Sequence, residues 1–194
     1  ATGCVEFLAE PYSHGLSSLG NVENFISETN RQAKKIKQLF GQNPKVFRNS
    51  SLIYNDEIGA MVADMGFKGI MVEGAKHILS WKTPNKVYQS ASAPKMKVLL
   101  RNTTLSDELS FHFSDPNWAN FPMDAEKYAN ILNALPEGED IINIWVGAET
   151  FGIRQNAGTG IFDFLKALPY FALEREMGFM TPAEAAKKMA AEDV

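Results

Sequence analysis

The sequence predicts an α/β fold in which a parallel sheet is covered by helices. Short apolar strands alternate with amphipathic helices along the chain, and the strands are apolar throughout, as buried parallel strands are. These features fit either a barrel or an open doubly wound sheet. No Gly-x-Gly-x-x-Gly follows a strand and no phosphate-binding Gly-Lys-Ser/Thr loop is present, which disfavours a nucleotide-binding open sheet. A barrel-like fold is therefore preferred.

Five strands and six helices are predicted from hydrophobic periodicity. The strands cover residues 4–9, 44–47, 68–72, 97–100 and 141–146. The helices cover residues 22–40, 54–65, 105–113, 124–135 and 159–176, with a last one beginning at Thr181-Pro182. Ser106 and Asp124 are the predicted N-caps of two helices, and Pro169 is expected to break the fifth. Residues 73–96 are read as a long irregular loop, and such loops are usually functional.

Composition excludes several classes of function. The 194 residues carry a net charge of −4 without a basic stripe, so a nucleic-acid partner is not expected. No apolar run approaches the roughly 18 residues of a membrane helix, so no membrane partner is expected. The single cysteine, Cys4, is predicted to be a buried thiol, and with no signal peptide at the start it favours a cytoplasmic location. The three histidines lack metal-ligand spacing, so no metal or cofactor is expected.

Polar residues follow each predicted strand, at the edge where parallel α/β sheets place their sites. They are Glu10, Tyr12, His14, Arg48, Asn49, Glu73, Arg101, Asn102 and Glu149. Any one of them alone is more often a helix cap or a solvated loop residue, but five strand ends in agreement favour a polar pocket. Trp81 and Tyr88 lie in the long loop and are expected to be exposed, whereas Phe111, Trp145 and Phe162 are expected in the core. Aromatic platforms beside carboxylates and arginines suit sugars.

Five phrases of the sequence together resemble the family-57 glycoside hydrolases, the amylase and 4-α-glucanotransferase group. They are VEFLAEPYSH at 5–14, FRNSSLIYNDEI at 47–58, GIMVEGA at 69–75, LRNTTLSDE at 100–108, and ETFG at 149–152 followed by TGIFDFL at 159–165. Each phrase alone is a weak signal, but their common order is specific. The resemblance covers the chain to about Pro169.

The resemblance implies an irregular parallel barrel of the (β/α)7 type, retaining chemistry, and an α-glucan or maltooligosaccharide as substrate. The family's first strand, with its His-Gln-Pro motif, would precede Ala1, and the helical region after the barrel is barely begun at Val194. We therefore expect an incomplete segment, with a partial barrel over residues 1–180 and the start of a C-terminal helical region over residues 181–194.

The resemblance also assigns residues. It implies that Glu73 is the nucleophile and that Glu6 and His14 hold sugar hydroxyls. Further substrate-binding candidates from the strand ends and the loops are Arg48, Trp81, Arg101 and Asp107.

The acid/base residue departs from the family pattern. The family's proton donor is an aspartate two residues before Glu149, and Gly147 stands there. Ile153-Arg154 also replaces the usual Glu-His. Glycine has no proton to donate, and losing a general acid costs about 10²–10⁴-fold in rate. Glu149 is a candidate substitute acid, although strongly reduced hydrolysis is the preferred expectation.

Three functions remain open on the sequence: an active α-glucan hydrolase or transferase, a protein that binds α-glucan without efficient turnover, and a structural domain whose site has lost its role. Gly147 favours the second over the first. The presence of Glu6, His14, Arg48 and Glu73 disfavours the third, because a site with no function has no physical need for buried carboxylates, which are costly when unpaired.

Overall fold

The fold, seen in a computed structural model that describes residues 3–192, is divided into two compact units. The sheet unit comprises Ala1–Arg101 together with Met180–Val194, and the helical unit comprises Asn102–Phe179.

A four-stranded mixed sheet forms the centre of the sheet unit. Its strands are β1 (Val46–Arg48), β2 (Gly69–Glu73), β3 (Val87–Gln89) and β4 (Lys97–Arg101), in the order β1-β2-β4-β3. The first three in that order are parallel, and β3 runs antiparallel to β4. The helices of this unit are α1 (Val22–Phe40), α2 (Asp56–Asp64), α3 (Lys76–Leu79) and α7 (Pro182–Lys188).

The helices of the sheet unit begin and end where their capping residues dictate. Asn21 caps α1 by accepting a hydrogen bond from the backbone N–H of Asn24, and Gly41 ends the helix with a left-handed φ of 71°. These are the predicted bounds of α1. The second helix is shorter than predicted because Asn55 caps it. Thr181 and Glu184 form a capping box on α7, with Pro182 in the first turn.

The two faces of the sheet have different characters. One face is apolar and carries Phe47, Ile70, Val72, Val98 and Leu100, which are buried together with residues of α1 and α2. On the other face α7 contacts three strands, and a Cβ added to Gly69 would touch Ala186 at 3.3 Å. This second face ends in charged residues at the carboxyl ends of the strands.

The strand predicted at residues 4–9 does not form. Of these residues only Ala9 makes a β-bridge, and its partner is Phe47. Side-chain amides of α1 and its C-terminal loop satisfy the backbone here instead. Gln42 accepts from Phe7 N at 3.1 Å and donates to Val5 O at 2.8 Å, while Gln32 contacts Leu8 O and Glu10 N. Cys4, predicted to be buried in this strand, is exposed.

The segment 73–96 is more ordered than predicted. It contains α3 and the antiparallel strand β3, so the sheet is not wholly parallel. Tyr88 on β3 is buried, contrary to expectation, and its hydroxyl donates to Thr83 O at 2.7 Å. Trp81 is exposed, as expected.

The helical unit contains α4 (Thr103–Asp107), a π-helical turn (Glu108–His112), α5 (Ala125–Asn133) and α6 (Ile161–Glu174). Phe164 of α6 packs edge-on against Phe113 and against Tyr128 of α5, and this cluster is the core of the unit.

Three predictions in the helical unit are corrected. Asn102, not Ser106, caps α4, because its side chain accepts from the N–H of Leu105. Residues 141–146 form no strand; the N–H of Asn102 donates to Asn143 O, and Ser106 Oγ accepts from Trp145 N. Pro169 lies inside α6 without breaking it.

The predicted α/β class is confirmed as a mixed fold of a small sheet with helices. The (β/α)7 barrel and the division at residue 180 stay predictions. Among residues 3–192, no helix has the length and apolar character needed to cross a membrane.

Candidate functional site

The carboxyl ends of β1, β2 and β4 carry a row of charges, which we call the charged edge: Arg48, Glu73 and Arg101. Each is the last residue of its strand. Arg48 pairs with Met71, and Glu73 pairs with Arg101. Because side chains alternate along a strand and paired residues point to the same side, all three lie on one face of the sheet.

Glu73 forms an ion pair with Arg101 within the charged edge. Arg101 Nη1 lies 3.3 Å from Oε1 and 3.5 Å from Oε2 of Glu73. The Arg101 side chain is only 12% exposed, whereas that of Glu73 is 38% exposed. A buried guanidinium therefore holds a carboxylate that solvent can reach. Gly74 follows directly, and a Cβ there would overlap the carbonyl oxygen of Arg101.

A second charged cluster lies beside β1 and consists of Glu10, Arg48 and His14. Arg48 Nη1 donates to Glu10 Oε2 at 2.9 Å, and His14 Nδ1 lies 3.4 Å from the same oxygen. His14 has a left-handed φ of 51°. The structure thus brings together two predicted substrate-binding residues, and Glu10 joins them.

The side chain of Glu6 contacts the N-terminal end of α7. Its Oε2 accepts from the backbone N–H of Ala183 at 2.8 Å, while Oε1 is buried and has no hydrogen-bond partner among the described residues. The structure therefore brings Glu6 to the first turn of α7. Its sugar-binding role stays a prediction.

A cavity of about 380 Å³ lies next to Glu73 within the sheet unit. Its floor is apolar and includes Val72, Val98 and Leu100, and Trp81, which is 86% exposed, stands at its rim. Tyr54 also lines it. Burial raises the pKa of Tyr54, so its hydroxyl stays neutral at physiological pH and can donate a hydrogen bond.

Gly147 and Glu149 lie together in the helical unit, where Gly147 directly precedes a 3₁₀ turn at Ala148–Thr150 that contains Glu149. A Cβ added to Gly147 would overlap both carboxylate oxygens of Glu149. Arg154 Nη2 pairs with Glu149 Oε1 at 3.2 Å, and its guanidinium lies 4.7 Å from the centre of the Phe111 ring. Phe111 is exposed, not in the core as predicted. Phe162 is also partly exposed, because α6 presents it outward.

The remaining predicted substrate-binding residue, Asp107, ends α4 in the helical unit. Its neighbour Glu108 was not singled out from the sequence. Burial raises the pKa of Glu108, which receives a hydrogen bond from Asn120 Nδ2 at 3.4 Å. Glu10 was noted only as one strand-end residue among several. The available signal is its position directly after the predicted strand at residues 4–9, but its two partners cannot be inferred from spacing.

No group of three or more His, Cys, Asp or Glu side chains is arranged to hold a metal ion in the part of the chain that the structure describes. The charged edge and the second cluster together supply two carboxylates, two arginines and an imidazole.

Comparison with solved structures gives the same fold in much larger proteins. The branching enzyme of the GH57 type from Pyrococcus horikoshii superposes with a TM-score of 0.74 at 15% identity, over 98% of this chain and 47% of that one. The 4-alpha-glucanotransferase from Thermococcus litoralis gives 0.71 at 12% identity, over 97% of this chain and 29% of that one.

Sequence comparison is more specific. A Methanocaldococcus jannaschii protein named "Putative alpha-amylase" is 47% identical over 169 residues, which are 87% of this chain and 35% of that protein. The chain thus spans about a third of the length of this curated relative. The model of glycosyl hydrolase family 57 matches residues 1–194. The chain therefore belongs to glycosyl hydrolase family 57.

Proposed function

We propose that this chain carries the nucleophile part of a retaining α-glucan-acting glycoside hydrolase, with hydrolysis impaired because Gly147 replaces the proton donor. The sheet of the sheet unit would then be part of an irregular β/α barrel. The observation that carries the proposal is Glu73, which closes β2 with its carboxylate accessible and held by Arg101.

The setting of Glu73 suits nucleophilic attack. A retaining glycosidase uses one carboxylate to attack the sugar and a second carboxyl group to protonate the leaving oxygen. The attacking carboxylate must be ionised, oriented and reachable. Arg101 contacts both oxygens of Glu73, and more than a third of the Glu73 side chain is open to solvent. Trp81, at the rim of the adjoining cavity, offers an exposed indole on which the apolar face of a sugar can stack.

The acid half of the reaction is where we expect the loss. Gly147 has no side chain, and the carboxylate of Glu149 occupies the space that a side chain there would enter. Glu149 is thus the group best placed to substitute. Its ion pair with Arg154 opposes that role, because the guanidinium donates to the carboxylate oxygen Oε1 and competes with a leaving group for it. We therefore propose turnover about 10²–10⁴-fold below that of an enzyme with its general acid.

A second candidate function is the binding of α-glucan without turnover. Glu149 lying over Gly147 favours it, since this arrangement fills the acid position without supplying an acid. The exposed Trp81 would serve binding in either case.

Substrates with different leaving groups test the proposal. Fluoride needs little protonation to leave, so α-maltosyl fluoride reports on the nucleophile, whereas maltooligosaccharides report on nucleophile and acid together. We expect fluoride release by the wild type, none by Glu73→Gln, and unchanged release by Glu137→Gln, which alters an exposed loop residue. Reducing-sugar release from maltooligosaccharides should be slow in the wild type.

The proposed loss of the general acid is tested by placing an aspartate at position 147. Gly147→Asp should raise maltooligosaccharide hydrolysis more when combined with Glu149→Ala, because the shorter side chain clears the space. The initial burst of fluoride, which reports formation of the glycosyl-enzyme, should change little in either variant, whereas steady-state release should rise because the restored acid also acts as the base that hydrolyses this intermediate. Heat of maltotriose binding without release from either substrate would support the binding function instead. If the wild type neither binds maltotriose nor releases product from either substrate, both functions are contradicted.

A further inference from the structure

The turn at residues 10–14 is held rigidly against α1. The N–H of Ser13 donates to Glu28 Oε2 at 2.6 Å. Hydrogen bonds from the side chain and the backbone of Ser13 lower the pKa of Glu28. The guanidinium of Arg31 lies 3.9 Å from the centre of the Tyr12 ring. Two side chains of α1 therefore fix this turn from outside.

His14 closes the turn in a backbone conformation that side chains disfavour. Its φ is 51°, and its N–H donates to Pro11 O at 2.9 Å. A non-glycine residue holds a left-handed φ only when its surroundings impose it, and such strain is frequent at ligand sites. The strained turn directs the His14 imidazole to Glu10, 3.4 Å from Nδ1 to Oε2.

The single oxygen Oε2 of Glu10 is shared between His14 and Arg48. When Nδ1 of a neutral imidazole donates to a carboxylate, Nε2 is left as a hydrogen-bond acceptor. An arginine has five N–H donors, so the bond to Glu10 engages only part of the Arg48 guanidinium. With the His14 proton on Nδ1, facing Glu10, an acceptor and several donors stand side by side on partly exposed residues, with side-chain exposures of 52% for His14 and 37% for Arg48.

This combination matches two neighbouring hydroxyl groups. One hydroxyl can donate to His14 Nε2 while the oxygen of the next accepts from Arg48. The carboxylate of Glu10 balances the charge of Arg48, so the cluster has no net attraction for a phosphate or a carboxylate. The ligand class that fits is a neutral saccharide.

We propose that Glu10 is a positioning residue that sets His14 as an acceptor and Arg48 as a donor toward adjacent hydroxyls of a neutral saccharide. The identity of the ligand rests on the proposed function. The effect of Glu10 on the imidazole does not, because it exists without ligand.

The tautomer of His14 tests the positioning role directly. The chain has three histidines, so ¹⁵N resonances can be assigned with His77→Gln and His112→Gln. At about pH 8.5, where imidazoles are neutral, we expect the proton on Nδ1 in the wild type and on Nε2 in Glu10→Ala. Glu10→Gln keeps an acceptor oxygen and should retain the wild-type tautomer, as should the matched control Glu137→Gln. A wild-type proton on Nε2, or a tautomer unmoved in Glu10→Ala, would overturn the proposal.

Calorimetry with maltotriose tests the ligand. Glu10→Ala should weaken binding about tenfold, the usual effect of losing one oriented charge-assisted hydrogen bond, and Glu10→Gln should weaken it less. Equal affinity of the wild type and Glu10→Ala would refute the saccharide role. Absence of heat with the wild type would refute the saccharide role together with the proposed function, while the tautomer measurement still decides whether Glu10 positions His14.

Discussion

Gly74, directly after the proposed nucleophile, has no room for a side chain. A Cβ there would overlap the backbone carbonyl oxygen of Arg101 and would lie 3.1 Å from Cβ of Pro84. Its φ is not left-handed, so the cost of Gly74→Ala is steric alone. Overpacking costs about 1–3 kcal/mol. We expect about 3 kcal/mol here, because a backbone carbonyl at the end of a strand cannot rotate away as a side chain can.

Substitutions at two other glycines separate this steric cost from the cost of the backbone conformation. Gly66→Ala meets no atom within 4 Å but must hold a φ of +91°, so it should cost about 1 kcal/mol. Gly178→Ala meets no atom within 4 Å and has no left-handed φ, so it should change the free energy of unfolding by less than about 1 kcal/mol.

Urea denaturation of the three variants measures these costs. For a chain of this size, about 3 kcal/mol also corresponds to a fall of about 6–12 °C in the melting temperature. A Gly74→Ala variant as stable as Gly178→Ala would show that the chain after Glu73 is not packed against β4 as described.

Three further predictions concern individual polar side chains. Asn49 makes buried hydrogen bonds to Ser18 Oγ, Ile53 O and Ser50 N, so Asn49→Ala should lower the free energy of unfolding by about 3 kcal/mol in urea denaturation. Burial raises the pKa of Glu108, so the ionisation of Glu108 should reduce stability as pH rises from about 4 to 7, and Glu108→Gln should melt higher than the wild type at pH 7 but not at pH 4. The hydrogen bonds of Ser13 lower the pKa of Glu28, so Glu28→Gln should reduce the melting temperature at pH 7, and this difference from the wild type should shrink as the pH falls below the ordinary pKa of a glutamate. A pH-independent difference from the wild type would contradict either pKa argument.

The helices were the most predictable part of the fold. The bounds of α1 and the caps of α1, α5 and α7 follow from residues adjacent in sequence, because capping and amphipathic periodicity are local properties. The strands were less predictable. Residues 4–9 and 141–146 are as apolar as β2, yet neither forms a strand, because strand formation depends on which backbone lies alongside.

The sequence predicted which residues belong to the candidate site, but not which of their side chains contact one another. Strand ends supplied Arg48, Glu73 and Arg101, and the register of the sheet places these three on one face. The partners could not be inferred from the sequence: Arg101, a predicted substrate-binding residue, forms an ion pair with Glu73, and Glu10 joins Arg48 to His14. These are contacts between residues 4 to 38 positions apart, and spacing alone does not select them.

By itself, the sequence determined the α/β class, the main helices, the family and the glycine that stands where a proton donor is expected. These depend on composition, short-range periodicity and local phrases, which act within a few residues along the chain. Only the tertiary structure decided that β3 runs antiparallel, that Glu6 binds the first turn of α7, and that Glu149 fills the space beside Gly147. Each of these depends on the direction of a strand or a side chain in the packed molecule, which is set by the steric and hydrogen-bonding demands of its neighbours in the fold.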